Sequence, residues 1–177
     1  TLRQIPDHQE LYLSPTTLST LIYEINEYVP ESTSLETLTQ HTHLLPPTQS
    51  QAQEKARATE SLDRAAVLYH LLDLLDEGDH LDIIVPPTRV NLEKVVSGRG
   101  YKGCAEFKSS RGKGKGTKCW FLVVRLEEQG TDLVVWGNVP GEELDGEGVV
   151  EREEGCMEGL IEGLRGELEV VEWDLFG

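Results

Sequence analysis

The stretch Cys119-Trp-Phe-Leu-Val-Val-Arg-Leu126 constrains the fold more than any other part of the chain. It is apolar at almost every position rather than at alternate ones. A strand with one wet face alternates, so a continuous run of this length predicts a strand buried on both faces. Such a strand needs neighbours in its sheet and a layer on each side. Asp132–Trp136 (D-L-V-V-W) is its expected partner, because the short connection 127–131 contains Gly130 and suits a hairpin. The core of the molecule is therefore predicted to be an antiparallel hairpin deep in a sheet.

Other elements are read outward from this hairpin. Gln9–Leu13 is a short strand, ended by Ser14-Pro15-Thr16-Thr17. Leu21–Tyr28 (L-I-Y-E-I-N-E-Y) is β-branched and aromatic and forms no helical stripe, so it is also a strand. On it Leu21, Tyr23, Ile25 and Glu27 share one face, and Ile22, Glu24, Asn26 and Tyr28 the other. Residues 30–54 are mostly Ser, Thr, Gln, Pro and Glu and read as a long surface loop or flexible insert, with room for one short helical turn. A helix follows from Ala52, with Leu62, Ala65, Ala66, Leu68, Tyr69, Leu72 and Leu75 as its apolar stripe and Gly78 as its stop.

Residues 82–85 and 89–95 flank Pro86-Pro87 and fit no single template. Tyr101–Lys108 is a strand, and 109–118 a basic loop. Gly137–Gly141 closes the hairpin. A last helix carries Met157, Leu160, Ile161 and Leu164, stops at Gly166, and gives way to a final strand over 168–175. The order β-β-α-β-β-β-α-β predicts an α+β fold, a largely antiparallel sheet with helices on both faces. At 177 residues this is one domain.

Composition narrows the partners. The net charge is −16, and residues 99–118 run against it with seven basic side chains and one acidic. An acidic surface repels phosphate backbones, so nucleic acid and anionic membranes are poor partners and a basic protein surface is a better one. No apolar run is long enough to span a membrane, and no signal peptide is visible at Thr1-Leu2-Arg3-Gln4. The absence of an initial Met reads as a processed or trimmed chain. Cys104, Cys119 and Cys156 lack any CxxC spacing, which argues against a zinc site or disulfide scaffold and for a reducing compartment.

Motifs for catalysis are weak. The Gly112-Lys-Gly-Lys-Gly-Thr117 run lacks the frame of a phosphate loop and precedes a strand rather than a helix, so a solvated loop is favoured. His41, His43 and His70 have no partners at metal-ligand spacing, and no metal or cofactor is expected. Cys104 lies beside acidic Glu106, which disfavours a thiolate nucleophile. Gly155, Gly159 and Gly163 recur every four residues and predict a helix lying close on the sheet. Asp7 with Glu10, and Glu24 with Glu27, are acid pairs that a solvated strand edge explains, and that also suit Lys or Arg of a partner.

Several segments resemble one family. Arg3-Gln-Ile-Pro-Asp-His-Gln-Glu-Leu-Tyr12 resembles the R-x-V-P-D-x-Q-E-V-Y stretch of the Ran guanine nucleotide release factors, the Mog-type Ran-binding proteins. Leu21–Val29 is similar to that family's apolar strand with spaced acids, and Tyr69-His70 to its aromatic-His pair. Arg125-Leu126, Thr131–Val135 and Asn138-Val-Pro140 resemble its I-R-L…T-D-V-V-I…N-V-P hairpin, and Trp173–Gly177 its S-L-F-A ending. The resemblance implies a PsbP-like sheet flanked by helices, and a non-enzymatic protein that binds the small GTPase Ran and promotes nucleotide release in nuclear import. It implies residence in nucleus and cytoplasm, a monomer, and other nuclear transport factors as further partners. Its acidic Ran contacts fall on Glu24 and Glu27, with Asp7 and Glu10 close by. The family's G-G-A-I strand and P-x-G-F-I-D segment have no counterpart before Arg3, so its first strand is expected to be missing. The alternative expectation is a scaffold or trafficking adaptor of the same fold that holds a basic protein segment.

Overall fold

The computed structural model describes residues 8–47, 54–95, 97–109, 116–141 and 148–170. Among these, strands β1 (Gln9–Leu13), β2 (Thr20–Glu27), β3 (His80–Val90), β4 (Arg99–Lys108), β5 (Thr117–Leu126) and β6 (Thr131–Pro140) form one antiparallel sheet in the order β1-β2-β6-β5-β4-β3. Helices α1 (Glu31–Gln40) and α2 (Glu54–Asp73) lie on one face, and α3 (Val149–Glu167) on the other. The result is the α+β, three-layer architecture that the hairpin demanded.

β5 and β6 hold the middle of the sheet. Phe121, Val123, Val134 and Trp136 pack toward α1 and α2 with Leu68, Leu71 and Tyr101. Leu122, Val124, Leu126 and Val135 pack toward α3 with Ile161. All these side chains are essentially inaccessible to water, which explains why β5 has no polar alternation. Gly130 closes the hairpin in the left-handed region at φ 62°. β6 runs on to Pro140 rather than stopping at Trp136, because Gly137–Pro140 keep pairing with 117–120 of β5.

Four sequence expectations give way. Residues 31–40 form α1 and not a loop. Pro30 leads into it and Glu31 sits in its first turn, where a carboxylate suits the helix dipole. Its inner face is made of Ser34 and Thr37, both buried, with only Leu38 reaching the core, so no apolar period announced it. Second, Tyr69 and Leu160 stand outside their stripes, 40% and 46% exposed. Third, a Cβ on Gly155, Gly159 or Gly163 would meet nothing within 4 Å, so these glycines face outward. The close approach of α3 comes from the strand, where a Cβ on Gly137 would collide with the Met157 thioether. Fourth, residues 168–170 are not a strand. Leu168 N–H closes the helix on Leu164 O at 2.8 Å, and Leu168 and Val170 pack on the α3-side core. The rest of that expected strand, 171–175, lies outside the described residues, as do most of the basic loop and Asp7.

The ambiguous stretch around Pro86-Pro87 is a single bulged strand. Its register against β4 slips between Ile83 and Val85 and again between Val85 and Thr88. β3 is the outermost strand on its side, and an edge tolerates prolines that cannot donate to a ladder. Opposite the bulge, Gly103 lets the backbones close up: a Cβ there would sit 2.5 Å from both Val85 O and Phe121 Cζ. Gly103→Ala is expected to cost about 1–3 kcal/mol, because backbone and a buried ring cannot yield together. A thermal unfolding midpoint that stays at the wild-type value would contradict this.

Candidate protein-docking site

The three described acidic candidates, Glu10, Glu24 and Glu27, do not form one cluster. Glu24 and Glu27 are three residues apart on β2, and an odd spacing on a strand puts them on opposite faces. Glu24 points to the α1/α2 side and is 9% exposed. Its carboxylate accepts from Trp136 Nε1 at 2.9 Å, from Asn26 Nδ2 at 3.4 Å, and from the Gln9 side-chain amide on β1. It holds two strands and a core indole in place, and it presents no free anion to a partner. The expectation of a solvated acid pair at 24 and 27 is met only at Glu27.

Glu27 lies on the α3-side face, exposed, without a hydrogen-bond or ion-pair partner among the described residues. Glu10 shares that face, since it pairs across with Tyr23. From Glu27 this face runs through Ile25 to Tyr23, which stands beside Glu10 about 13 Å along the strand, and on to Tyr12 beyond it. The two tyrosine rings meet edge to face at 6.0 Å. Tyr12 is 57% exposed and Ile25 40%. α3 packs over β5 and β6 and leaves this flank open. Tyr12 donates its hydroxyl to Glu10 Oε2 at 3.0 Å, and that bond raises the phenol's pKa above its ordinary value. Burial raises Tyr23, helped by Tyr12 and Glu10. Two carboxylates set along a strip of phenols and an aliphatic side chain can take Lys or Arg: charge at the head, apolar contact and cation–π along the stem.

Beneath the Glu27 end lies a buried ionic network. Asp63 of α2 accepts from Arg99 Nε at 2.7 Å and Nη2 at 3.1 Å, from Arg125 Nη1 at 2.9 Å and from Tyr101 OH at 2.9 Å. Asp132 accepts from Arg125 Nε at 3.2 Å, from His70 Nε2 at 2.9 Å and from the Val29 amide at 3.0 Å. Arg125 also donates to Val29 O at 2.5 Å and stacks over the Tyr28 ring with its Cζ 4.1 Å from the centroid. Asp63, Arg125 and Asp132 are at most 2% exposed. Two carboxylates against two guanidinium groups make the cluster balanced, which burial requires. Hydrogen bonding to Asp63 raises the Arg99 pKa further above its usual value, while burial, reinforced by Asp63, raises the Tyr101 phenol. The network fixes Tyr28-Val29, the residues directly after Glu27.

Sequence reading missed this network, although one signal was available. Asp63 and His70 stand seven apart on α2, two turns on one helical face, interrupting the side that buries Val67 and Leu71. Arg125 and Asp132 stand out in the sequence only as part of the hairpin motif. The Cys104 thiol matches expectation in the direction of its shift though not in cause. Burial pushes Cys104 up to about 12, with neighbouring acids a smaller contribution offset by Lys118.

The class is that of a three-layer α+β domain with an anionic, aromatic sheet flank. The chain belongs to the Mog1 family: the family model described as Ran-interacting Mog1 protein matches residues 1–140. That range holds the whole sheet, α1 and α2, and leaves α3 outside. Among solved structures, a single-substitution mutant of protein Mog1 is 16% identical with a TM-score of 0.46, the match covering 99% of this chain and 86% of that one. The Saccharomyces cerevisiae Ran-binding protein Mog1p is 17% identical with a TM-score of 0.34, covering 90% and 70%. No curated protein matches.

Proposed function

We propose that this chain binds the small GTPase Ran through the flank bearing Glu10, Tyr12, Tyr23, Ile25 and Glu27, and promotes release of its guanine nucleotide in support of nuclear protein import. The observation that carries this reading is the exposed Glu27 carboxylate, without a partner among the described residues, at the end of an exposed phenol–aliphatic strip in a chain of the Ran-interacting family. The protein acts by binding and not as an enzyme, as a monomer moving between nucleus and cytoplasm. Glu24 serves as a positioning residue that keeps β1 and β2 in register.

The mechanism follows from differential affinity. A GTPase holds nucleotide through Mg²⁺, a phosphate-cradling loop and ordered switch segments. A partner accelerates release only by binding the loosened state more tightly than the loaded one. Glu10 and Glu27 gripping Lys or Arg near the switches supply that difference, and a tenfold bias needs only about 1.4 kcal/mol. Linkage then requires nucleotide to weaken the complex by the same factor.

The test is release of a fluorescent nucleotide from Ran with and without the chain, beside capture of Ran in its GTP and GDP forms. Acceleration that depends on Glu27 supports the reading. Capture of Ran with no change in release indicates the adaptor role instead. The association rate is expected to fall steeply between 50 mM and 500 mM salt, since steering between opposite charges is screened over about 10 Å at 0.1 M. A rate indifferent to salt in stopped-flow mixing removes the electrostatic part of the proposal.

A further inference from the structure

α3 covers β5 and β6 and leaves a second gap on the side away from Glu10 and Glu27. There, beside the bulge of β3, a cavity of about 180 Å³ opens between β3, β4, β5 and α3, with Val85 and Thr88 on its strand side. Its walls are Val85, Trp120 and Ile161, with the buried Cys104 thiol and the Gly103 backbone among its lining. Two acids of α3 stand at it, one turn apart. Glu162 is engaged by Lys102 and by Arg165 at 3.2 Å. Glu158 is exposed and has no hydrogen-bond or ion-pair partner among the described residues.

We infer that this cavity is a binding site for a small molecule consisting of one aromatic ring with an alkylammonium arm. The size sets the ring: an apolar protein cavity of about 150 Å³ accommodates benzene. The walls set its polarity. Trp120 offers an indole for edge or face contact. Burial pushes the Cys104 thiol up to about 12 and so keeps it neutral, and it serves as apolar surface. The mouth sets the charge. Lys102 is already committed to Glu162, whereas Glu158 has no counter-ion among the described residues, so a cation is favoured there and an anion repelled. The cavity exists for a sequence reason. Pro86-Pro87 forces the bulge, and Gly103 admits the bulged backbone beside β4.

The probe is phenethylammonium, added to the intact ¹⁵N-labelled chain and followed by two-dimensional NMR. Ethylammonium, which lacks the ring, and 3-phenylpropionate, which reverses the charge, are the controls. Saturable shifts of the Val85, Lys102, Cys104, Glu158 and Ile161 amides by phenethylammonium alone are the expected result. Glu158→Gln is expected to weaken binding about tenfold, as loss of one charge-assisted bond would. Cys104→Leu, which fills the floor, is expected to abolish it. Glu158 is on an exposed helix face, so its substitution remains informative if the Cys104 variant does not fold. No saturable shift at these amides, an equal response to either control, or unchanged affinity in Glu158→Gln overturns the assignment. None of these outcomes touches the Ran reading, which rests on the opposite flank.

Discussion

Asp63→Ala is expected to lower the free energy of unfolding by about 3–5 kcal/mol. One carboxylate receives four hydrogen bonds, from Arg99, Arg125 and Tyr101, at 2.7–3.1 Å. Its removal leaves Arg125, 2% exposed, with one carboxylate where it had two, and leaves the Tyr101 hydroxyl unpaired in the core. A broken buried ion pair costs about that much because the orphaned charge has lost water as well as its partner. Total stabilities of domains lie near 5–15 kcal/mol, so the variant would sit close to unfolding. The measurement is a urea titration by far-UV circular dichroism. A midpoint shift equivalent to less than about 1 kcal/mol would show that the network carries little of the fold. Isosteric apolar replacement of Asp63 together with Arg125 is expected to recover part of the loss, since the pair is costly to break and much less costly to omit.

Charge reversal on β2 is expected to split into two distinct outcomes. Glu27→Lys leaves the unfolding curve unchanged and weakens Ran binding tenfold or more, because an exposed carboxylate is turned into a repelling ammonium. Adding Glu10→Lys deepens the loss. Glu24→Lys fails differently. It sets an ammonium against the Trp136 Nε1–H and the Gln9 and Asn26 amide N–H groups, three donors with no acceptor. A destabilisation of about 3 kcal/mol or more is expected there, and binding falls only through loss of folded protein. Equal behaviour of the two variants, in calorimetry and in nucleotide release alike, would refute the division of labour between the faces.

That division shows what the sequence could and could not reveal. The hairpin of β5 and β6 was legible because continuous apolarity has few solutions, and β2 because its residues are branched and aromatic. α1 was not, because its inward residues Ser34 and Thr37 are small and hydroxylic and produce no period. β3 was obscured by its two prolines, which read as a break in isolation and as a bulge at a sheet edge. The glycine repeat of α3 misled because helical spacing alone cannot say which side faces the sheet. Side-chain alternation along β2 is enough to separate Glu24 from Glu27, yet the burial of Glu24 depends on Trp136, more than a hundred residues away. The network of Asp63, Arg99, Arg125 and Asp132 was the least accessible feature. Its members come from four elements, and only their assembly makes them a unit.

Arg125 anchors the backbone at Val29, two residues beyond Glu27, and Asp132 holds the same residue's amide. The outward carboxylate is thus mounted on a strand end that is clamped on both its carbonyl and its amide. A rigid grip of this kind has little conformational freedom left to lose when a second protein arrives. Under the proposed function, association energy is then available for loosening the switch segments of the GTPase.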